Sequence, residues 1–295
     1  MTTARITQRQ SVATSLAALQ LGMSRLARSQ EKMSTGRNIN RPSDSPTGTN
    51  DAMRLRAALA AKTQYSANAQ DGASWLGNAD STLTSMLDEV RRARDLVVQG
   101  ASTGNSDPDA REALAQEVTQ IRAGLLSEAN TQYLGRPLFG GTTAGTVAYD
   151  STGTYVGDGN DVNRTVGDGI SIAVNVTGPK AFSAGSDSLF GVLDDIVTRL
   201  RTDPASLGTS LSRLDAVTGS MKTALSDVGA RENRVDTAMS NLDSATLDTR
   251  SALSNVEDVD IASATMDLQM QEVAYQASLA ATARVIQPSL VDFLK

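Results

Sequence analysis

The sequence contains no cysteine and no histidine. Without thiols there is no disulfide framework and no thiolate nucleophile. Without imidazole, the Ser-His-Asp triad and the Cys-His pair are excluded, and the commonest zinc ligand is missing. Acid–base chemistry would have to rest on carboxylate pairs, Lys or Tyr. Aromatic residues are scarce too: one Trp, four Phe and five Tyr among 295 residues. Large rings fill thick cores. Here Ala, Leu, Val, Ser and Thr dominate, which suits thin helical layers whose backbones approach closely. No apolar run has the length of a membrane span. The first thirty residues lack the continuous apolar stretch of a secretory signal peptide. They are Arg-rich, amphipathic and contain Ser and Thr, as mitochondrial transit peptides do, so an organellar enzyme is one reading that composition leaves open.

The formal net charge is −6, unevenly spread. Residues 1–41 hold seven basic side chains and one acidic one, Glu31. Residues 255–295 hold six acidic side chains against Arg284 and Lys295. Opposite charge at the two ends favours their pairing.

Apolar periodicity organises the chain. Val12, Leu16, Leu19, Met23, Leu26, Gln30 and Met33 alternate steps of three and four, a narrow helical seam for one partner. "STGRNINRPSDSPTG", residues 34–48, stops that helix with two prolines and two glycines. A second helical region spans about 51–99, with Leu76, Ala79, Leu83, Met86, Val90, Ala93 and Val97 on its seam. Asp107-Pro108 reads as the start of a third helix, with Leu114, Val118, Ile121 and Leu125 inward. From "YLGRPLFGG" at 133–141 onward the composition shifts to Gly, Thr, Val and Asp. Within that stretch "ISIAVNV" at 170–176 alternates as a strand does. Helices return at Leu189. Positions 211 to 256 then keep a three-four alternation through fourteen seam residues, ten of them apolar. At 1.5 Å per residue that helix is roughly 70 Å long, too long for a globular core. After "NVEDVD" at 255–260 a last helix carries two stripes. One is Tyr275, Leu279, Ala283, Ile286, Leu290 and Phe293. The other is Met266, Met270, Val273, Ala277 and Ala280.

The expected fold is mainly α: a long antiparallel helical rod or coiled coil built from both chain ends, with a small β-rich insert. Residues 1–40 and 257–295 form the terminal helices, 41–139 and 188–256 the rod, and 140–187 the insert, joined through flexible glycines. Gly36, Asn38, Asn40, Pro42, Asp44 and Pro46 mark a joint loop, and "NVEDVD" is expected beside it on the returning chain.

Active-site grammar is thin. There is no phosphate-binding G-x-x-x-x-G-K-[ST] and no dinucleotide G-x-G-x-x-G after a strand. "VGDGNDVN" at 156–163 partly resembles a calcium turn, but it occurs once, without tandem copies, and reads better as β-turns. Asp194 and Asp195 are adjacent, so on a helix they point in different directions, and a solvated face is the simpler reading. The Arg91, Arg92, Arg94 run lies off the seam and reads as a solvated face rather than a phosphate site. Met23, Met86, Met221 and Met239 sit on seams and read as core rather than cofactor ligands.

Two stretches carry a resemblance. "RITQRQSVATSLAALQLGMSRLARSQEKMSTGRNINRPSDSPTG" resembles the N-terminal region of bacterial flagellins: a heptad helix, a Ser/Thr-Gly-x-x-Ile-Asn motif, then an Asp- and Gly-containing loop. "NVEDVDIASATMDLQMQEVAYQASLAATARVIQPSLVDFLK" resembles the matching C-terminal region. The Arg-Pro-Ser-Asp loop, "YLGRPLFGGT" and "YVGDGNDVNRTVGDGISIAVNVTGPKAF" are similar to the hook–filament junction branch of that family. Ser45 stands where the family often has a second Asp.

The resemblance implies a non-enzymatic structural subunit of the bacterial flagellum that joins the hook to the filament, flagellin itself being the alternative. It implies no cofactor. The partners it implies are further copies of the chain, the neighbouring hook-associated protein, flagellin and an export chaperone, with no nucleic acid and no membrane. It implies an extracellular place at the hook–filament junction, reached by type III export without a cleaved signal peptide. The assembly residues expected are Val12, Leu16, Leu19, Met23 and Leu26 on the first helix and Tyr275, Leu279, Ile286, Leu290 and Phe293 on the last. Neither terminal helix can bury its apolar face alone, so both ends are expected to be largely disordered until neighbouring copies cover them.

Overall fold

The computed structural model describes residues 2–102 and 107–286, with the side chains of 2–9, 11 and 284–286 outside that description. The main helices are α1 (Thr2–Thr35), α2 (Pro46–Ala101), α3 (Pro108–Ala129), α5 (Leu189–Thr202), α6 (Leu207–Glu257) and α7 (Ile261–Ile286), with a short α4 (Gly178–Phe182). Two antiparallel hairpins complete it: β1 (Gln132–Tyr133) with β2 (Arg136–Pro137), and β3 (Asn163–Gly167) with β4 (Ile170–Ala173). The chain divides into two compact units, residues 1–60 with 246–295, and residues 61–245.

Local chemistry fixes the helix ends. Ser45 caps α2: its hydroxyl accepts from the Gly48 amide at 3.1 Å, and Pro46 fills the first turn, where its missing N–H costs nothing. Asp107 caps α3 through the Asp109 amide at 3.0 Å, ahead of Pro108. Ser188 caps α5 through Gly191. The three-four alternation of α6 is seen along its length. Leu214, Met221, Val228, Val235, Leu242 and Thr249 are buried, one every seventh residue, and the other seam positions are half-buried.

The unit of residues 61–245 holds the main core. Here α2 and α6 are antiparallel: Lys62 Nζ donates to the Ala245 carbonyl at 3.0 Å, and Arg94 pairs with Asp215 at 2.7 Å. α3 and α5 are antiparallel in the same way, through Arg122–Asp194 and Arg201–Glu112. Leu76, Leu83, Met86, Val90 and Val97 of α2 meet Leu114, Val118 and Leu125 of α3 and Leu193, Ile196 and Leu200 of α5 in one apolar cluster. Trp75 is buried in it, edge-on to Tyr133 with ring centres 5.5 Å apart. The β1–β2 turn takes Leu134 at φ 50° and Gly135 at φ 77°, the left-handed pair that a tight hairpin needs.

The β-rich stretch shares this core, so the expectation of a module on flexible ends does not hold. Phe139, Tyr149 and Phe182 pack edge-to-face, and Tyr149 packs likewise on Phe190 of α5. Val162, Val166, Ile172 and Val174 are buried with them. Polar ties add to this. Arg164 pairs with Asp71 at 2.7 Å, and Asn68 donates to the Thr165 carbonyl at 2.9 Å, both reaching α2. From α6, Arg231 donates to the carbonyls of Ala173 and Asn175. β4 ends at Ala173, short of the expected 176; beyond it Val174 still donates to the Val162 carbonyl at 2.8 Å, and the Asn175 side chain takes the Val162 amide. Seven of the ten aromatic residues, Trp75, Tyr133, Phe139, Tyr149, Tyr155, Phe182 and Phe190, are thus concentrated where a two-stranded hairpin cannot bury its own face.

Three polar groups singled out in the sequence find their roles here. Arg91, Arg92 and Arg94 pair with Asp88, Glu117 and Asp215. Asp158 accepts from the Thr142 amide and hydroxyl and the Asn160 amide, as the cap of a turn. Asp194 and Asp195 do diverge, but Asp195 is no solvated side chain. It takes the Ser210 hydroxyl at 2.6 Å and the guanidinium groups of Arg199 and Arg213. Burial pushes its pKa up, and those bonds and charges outweigh burial and hold it below the ordinary carboxylate range.

Candidate assembly surface

In the unit of residues 1–60 and 246–295, α1 and α7 run antiparallel. Gly22 faces Tyr275, and Thr265 donates to the Met33 sulfur at 3.7 Å. At Gly22 an added Cβ would come within 3.4 Å of the Tyr275 ring, so the glycine lets the ring lie on the helix backbone. The buried or half-buried positions of α7 are Ala264, Leu268, Gln271, Tyr275, Ser278 and Thr282, with Thr265 beside the first of them. This third stripe, of small and polar residues, was not singled out in the sequence. Its three-four spacing was there to be found, but the more apolar stripes beside it mask it.

The two expected stripes therefore face outward. Met266, Met270 and Val273 are each more than 60% exposed, and Leu279 is 43% exposed. Tyr275 alone among the described members of the first stripe turns inward. Ile286 is the last residue of α7, its side chain beyond the description; Leu290 and Phe293 lie outside the described residues. On α1 the seam splits. Val12, Leu19, Leu26 and Met33 are half-buried, whereas Leu16 and Met23 are more than half exposed. Met23 is thus not core within the chain, unlike Met86 and Met221, because α7 covers only one side of the α1 seam.

The loop between α1 and α2 is held tightly. Gly36, at φ 69°, closes α1 by donating its amide to the Lys32 carbonyl at 2.9 Å, a left-handed cap. Asn38 accepts Lys32 Nζ at 2.7 Å, and Asn40 donates to the Arg37 carbonyl at 3.2 Å. Asp44 accepts the amides of Arg41 and Asn40, and those two bonds hold its carboxyl below the usual range. Pro42 lies in the turn and Pro46 opens α2. As expected, residues 257–259 run beside this loop. Asn38 donates its amide to the Glu257 carbonyl at 2.6 Å, and Val259 donates to the Gly36 carbonyl at 2.9 Å. The Glu257 carboxylate is buried and takes Arg37 at 3.0 Å and Arg56. That carboxylate was missed in the sequence because its partners are 220 and 201 residues away.

An open cleft of about 920 Å³ lies alongside. Arg25, Arg28 and Lys32 of α1 form one wall, and Asp258, Asp260 and Asp267 form the other. Among the described residues, Arg25, Arg28 and Asp267 form no ion pair or side-chain hydrogen bond. No described helix is long and apolar enough to cross a membrane.

Comparison with known proteins agrees with this arrangement. Residues 6–144 match the bacterial flagellin N-terminal helical region, and residues 211–294 match the bacterial flagellin C-terminal helical region. The chain is 30% identical over 190 residues to flagellar hook-associated protein 3 of Escherichia coli, covering 59% of this chain and 60% of that protein. It is 28% identical over 203 residues to flagellin FlaB2 of Treponema pallidum, covering 63% of this chain and 69% of that one. Among solved structures, Bacillus cereus FlgL shares the fold with a TM-score of 0.60 at 23% identity, over 68% of this chain and 99% of that one. The matched stretch thus spans about three fifths of the length of the Escherichia coli protein. Both terminal helical signatures stand on one chain, on α1–α3 and on α6–α7, and the protein belongs to the bacterial flagellin family.

Proposed function

We propose that the chain is a structural subunit of the flagellum, placed where the hook meets the filament, and that it does no chemistry. The observation that carries this reading is the uncovered surface of the α1–α7 pair. Leu16 and Met23 on one helix and Met266, Met270, Val273 and Leu279 on the other are a large apolar area for a chain to leave wet. A subunit that packs against copies of itself and against neighbours of related build has a use for such a surface. Likeness to flagellar hook-associated protein 3 favours the junction over the filament.

On this reading the preceding hook-associated protein lies on one side and flagellin on the other. A chaperone shields the apolar stripes before type III export, and no cleaved leader is needed. The terminal helices, 1–40 and 257–295, make the assembly contacts, including those of Ile286, Leu290 and Phe293. The helical region 41–139 with 188–256, and the β-rich region 140–187, carry the outer part. The loop from Gly36 to Pro46 fixes how the terminal helices leave α2 and α6.

Deleting the gene in its own host tests this. The expected result is intact hooks with flagellin shed into the medium. Attached filaments of normal length in the deletion strain would overturn it. Abundance in sheared filaments decides between junction protein and flagellin: a trace component supports the junction, and the main component makes the chain a flagellin.

A further inference from the structure

Three aspartates in the chain are followed directly by glycine: Asp71, Asp158 and Asp168. Such a bond holds a latent reaction. With no Cβ on the glycine, its amide nitrogen can come close enough to the preceding carboxyl to shut a five-membered imide. What holds the carboxyl and the amide decides whether it does. Asp71 lies inside α2, where the Gly72 amide belongs to the helix and Gly72 is buried. Its carboxylate pairs with Arg164 at 2.7 Å. Asp158 accepts the Thr142 amide at 2.6 Å, the Thr142 hydroxyl at 2.5 Å and the Asn160 amide at 3.2 Å. The bonds from Thr142, foremost the hydroxyl's, keep that carboxyl below the usual range, so the neutral acid that could lose water is rare.

Asp168 has none of these restraints. With Gly169 it forms the two-residue turn between β3 and β4, and both residues are exposed. Gly169 sits at φ 67°, outside the strand ladder, with open space where a Cβ would be. Among the described residues the Asp168 side chain has no hydrogen bond and no ion pair.

We propose that Asp168-Gly169 is a site of spontaneous conversion of aspartate to isoaspartate, and that the conversion loosens the β3–β4 hairpin. The Gly169 nitrogen attacks the side-chain carboxyl carbon of Asp168. A C–N bond forms, and the carboxyl hydroxyl leaves with the amide proton as water. Water then adds to the succinimide. Opening at the side-chain carbonyl restores aspartate. Opening at the main-chain carbonyl breaks the original peptide bond and leaves Gly169 joined through the former side chain. Nothing is oxidised or reduced, and the mass of the chain is unchanged. The product's main chain is one methylene longer. In a two-residue turn that length sets how the strands meet. Val166 of β3 and Ile172 of β4 are buried, so a disturbed register loses core contacts. This inference goes beyond the flagellar reading and does not depend on it.

Ageing the purified full chain in neutral buffer tests both halves. Trypsin releases residues 165–180, in which Asp168 is the sole aspartate. The isoaspartyl form resists a protease that cuts before aspartate, and electron-transfer fragmentation marks its position. The synthetic 165–180 peptide, aged alongside, sets the time. When that peptide is half converted, the folded chain should carry isoaspartate at 168. Positions 71 and 158 should carry at least about tenfold less, because a charge-assisted bond must break there first. No isoaspartate at 168 by that time, or comparable amounts at 71 and 158, would overturn the site. Asp168→Asn gives a faster reading, since the same ring closure then expels ammonia and the chain changes mass. A folded variant that keeps its amide while the matching peptide loses it would also overturn the site. Asp168→Glu blocks the reaction, because the longer side chain closes its ring far more slowly. In urea the aged parent should therefore melt at lower denaturant than the fresh one, and aged Asp168→Glu should melt as when fresh. Aged and fresh parent chains that melt alike, with isoaspartate present at 168, would overturn the loosening.

Discussion

Tyr149 and Tyr155 stand edge-to-face with ring centres 5.3 Å apart, yet their hydroxyls fare differently. Tyr155 donates to the Phe139 carbonyl at 3.2 Å and lies 2.5 Å from the Asp158 carbonyl. The Tyr149 hydroxyl is buried with no partner among the described residues, packed over Gly178 where any side chain would collide with it. Tyr155→Phe should therefore cost about 0.5–1.5 kcal/mol in a urea melt, and Tyr149→Phe should cost nothing or stabilise. Burial raises both phenol pKa values, helped by the neighbouring tyrosine for Tyr149 and by the Asp158 charge for Tyr155, which is pushed up to about 12. The unfolded phenols ionise first, near pH 10. Their stabilisation is full below about pH 10 and is lost as pH climbs towards the raised values. Melts at increasing alkaline pH should show a shallower loss for Tyr149→Phe than for the parent chain. An equal slope would place the titration elsewhere.

At the scale of elements, α6 was legible residue by residue because its seam is both apolar and regular. Leu242 is nearly buried, so Leu242→Ala should cost roughly 2–5 kcal/mol. Leu253 lies on the same seam but is half-buried, and its truncation should cost clearly less. Leu247, off the seam and exposed, should change stability by no more than about 0.5 kcal/mol. Any other order across the three variants would mean a different register. The last helix was legible as a helix and illegible in its packing. Apolarity marks a face that something covers, but the chain itself covers the face of Ala264, Gln271, Ser278 and Thr282. On the reading proposed above, what the sequence records there is the requirement of the assembled state. The β-rich stretch misled for a related reason. Its glycines suggested loose joins, whereas the aromatic contacts that tie it to α5 come from residues too far apart in sequence to show a period. Because α1 and α7 bury only this modest seam, amides of residues 264–282 should exchange with solvent much faster than those of residues 214–242 in the free subunit. Equal protection would show that the pair is stable alone.

For the whole molecule, the separable quantities are folding and assembly. Val273 is two-thirds exposed on α7, so Val273→Asp should leave the melting curve of the free subunit unchanged. On the reading proposed above it should abolish filament attachment, because a carboxylate pressed into an apolar contact costs several kcal/mol at each copy. A strain with Val273→Asp and normal filaments would show that this stripe stays wet.

The lone tryptophan gives this distinction an optical readout. Trp75 is sealed from water beneath the β1–β2 hairpin, with Tyr133 against its ring. Its emission is therefore set by that burial. A variant that loosens the core should shift its fluorescence to the red, and one that spoils only docking should leave the spectrum silent. One cuvette measurement, before any filament is counted, then sorts a subunit that cannot fold from one that has nowhere to bind.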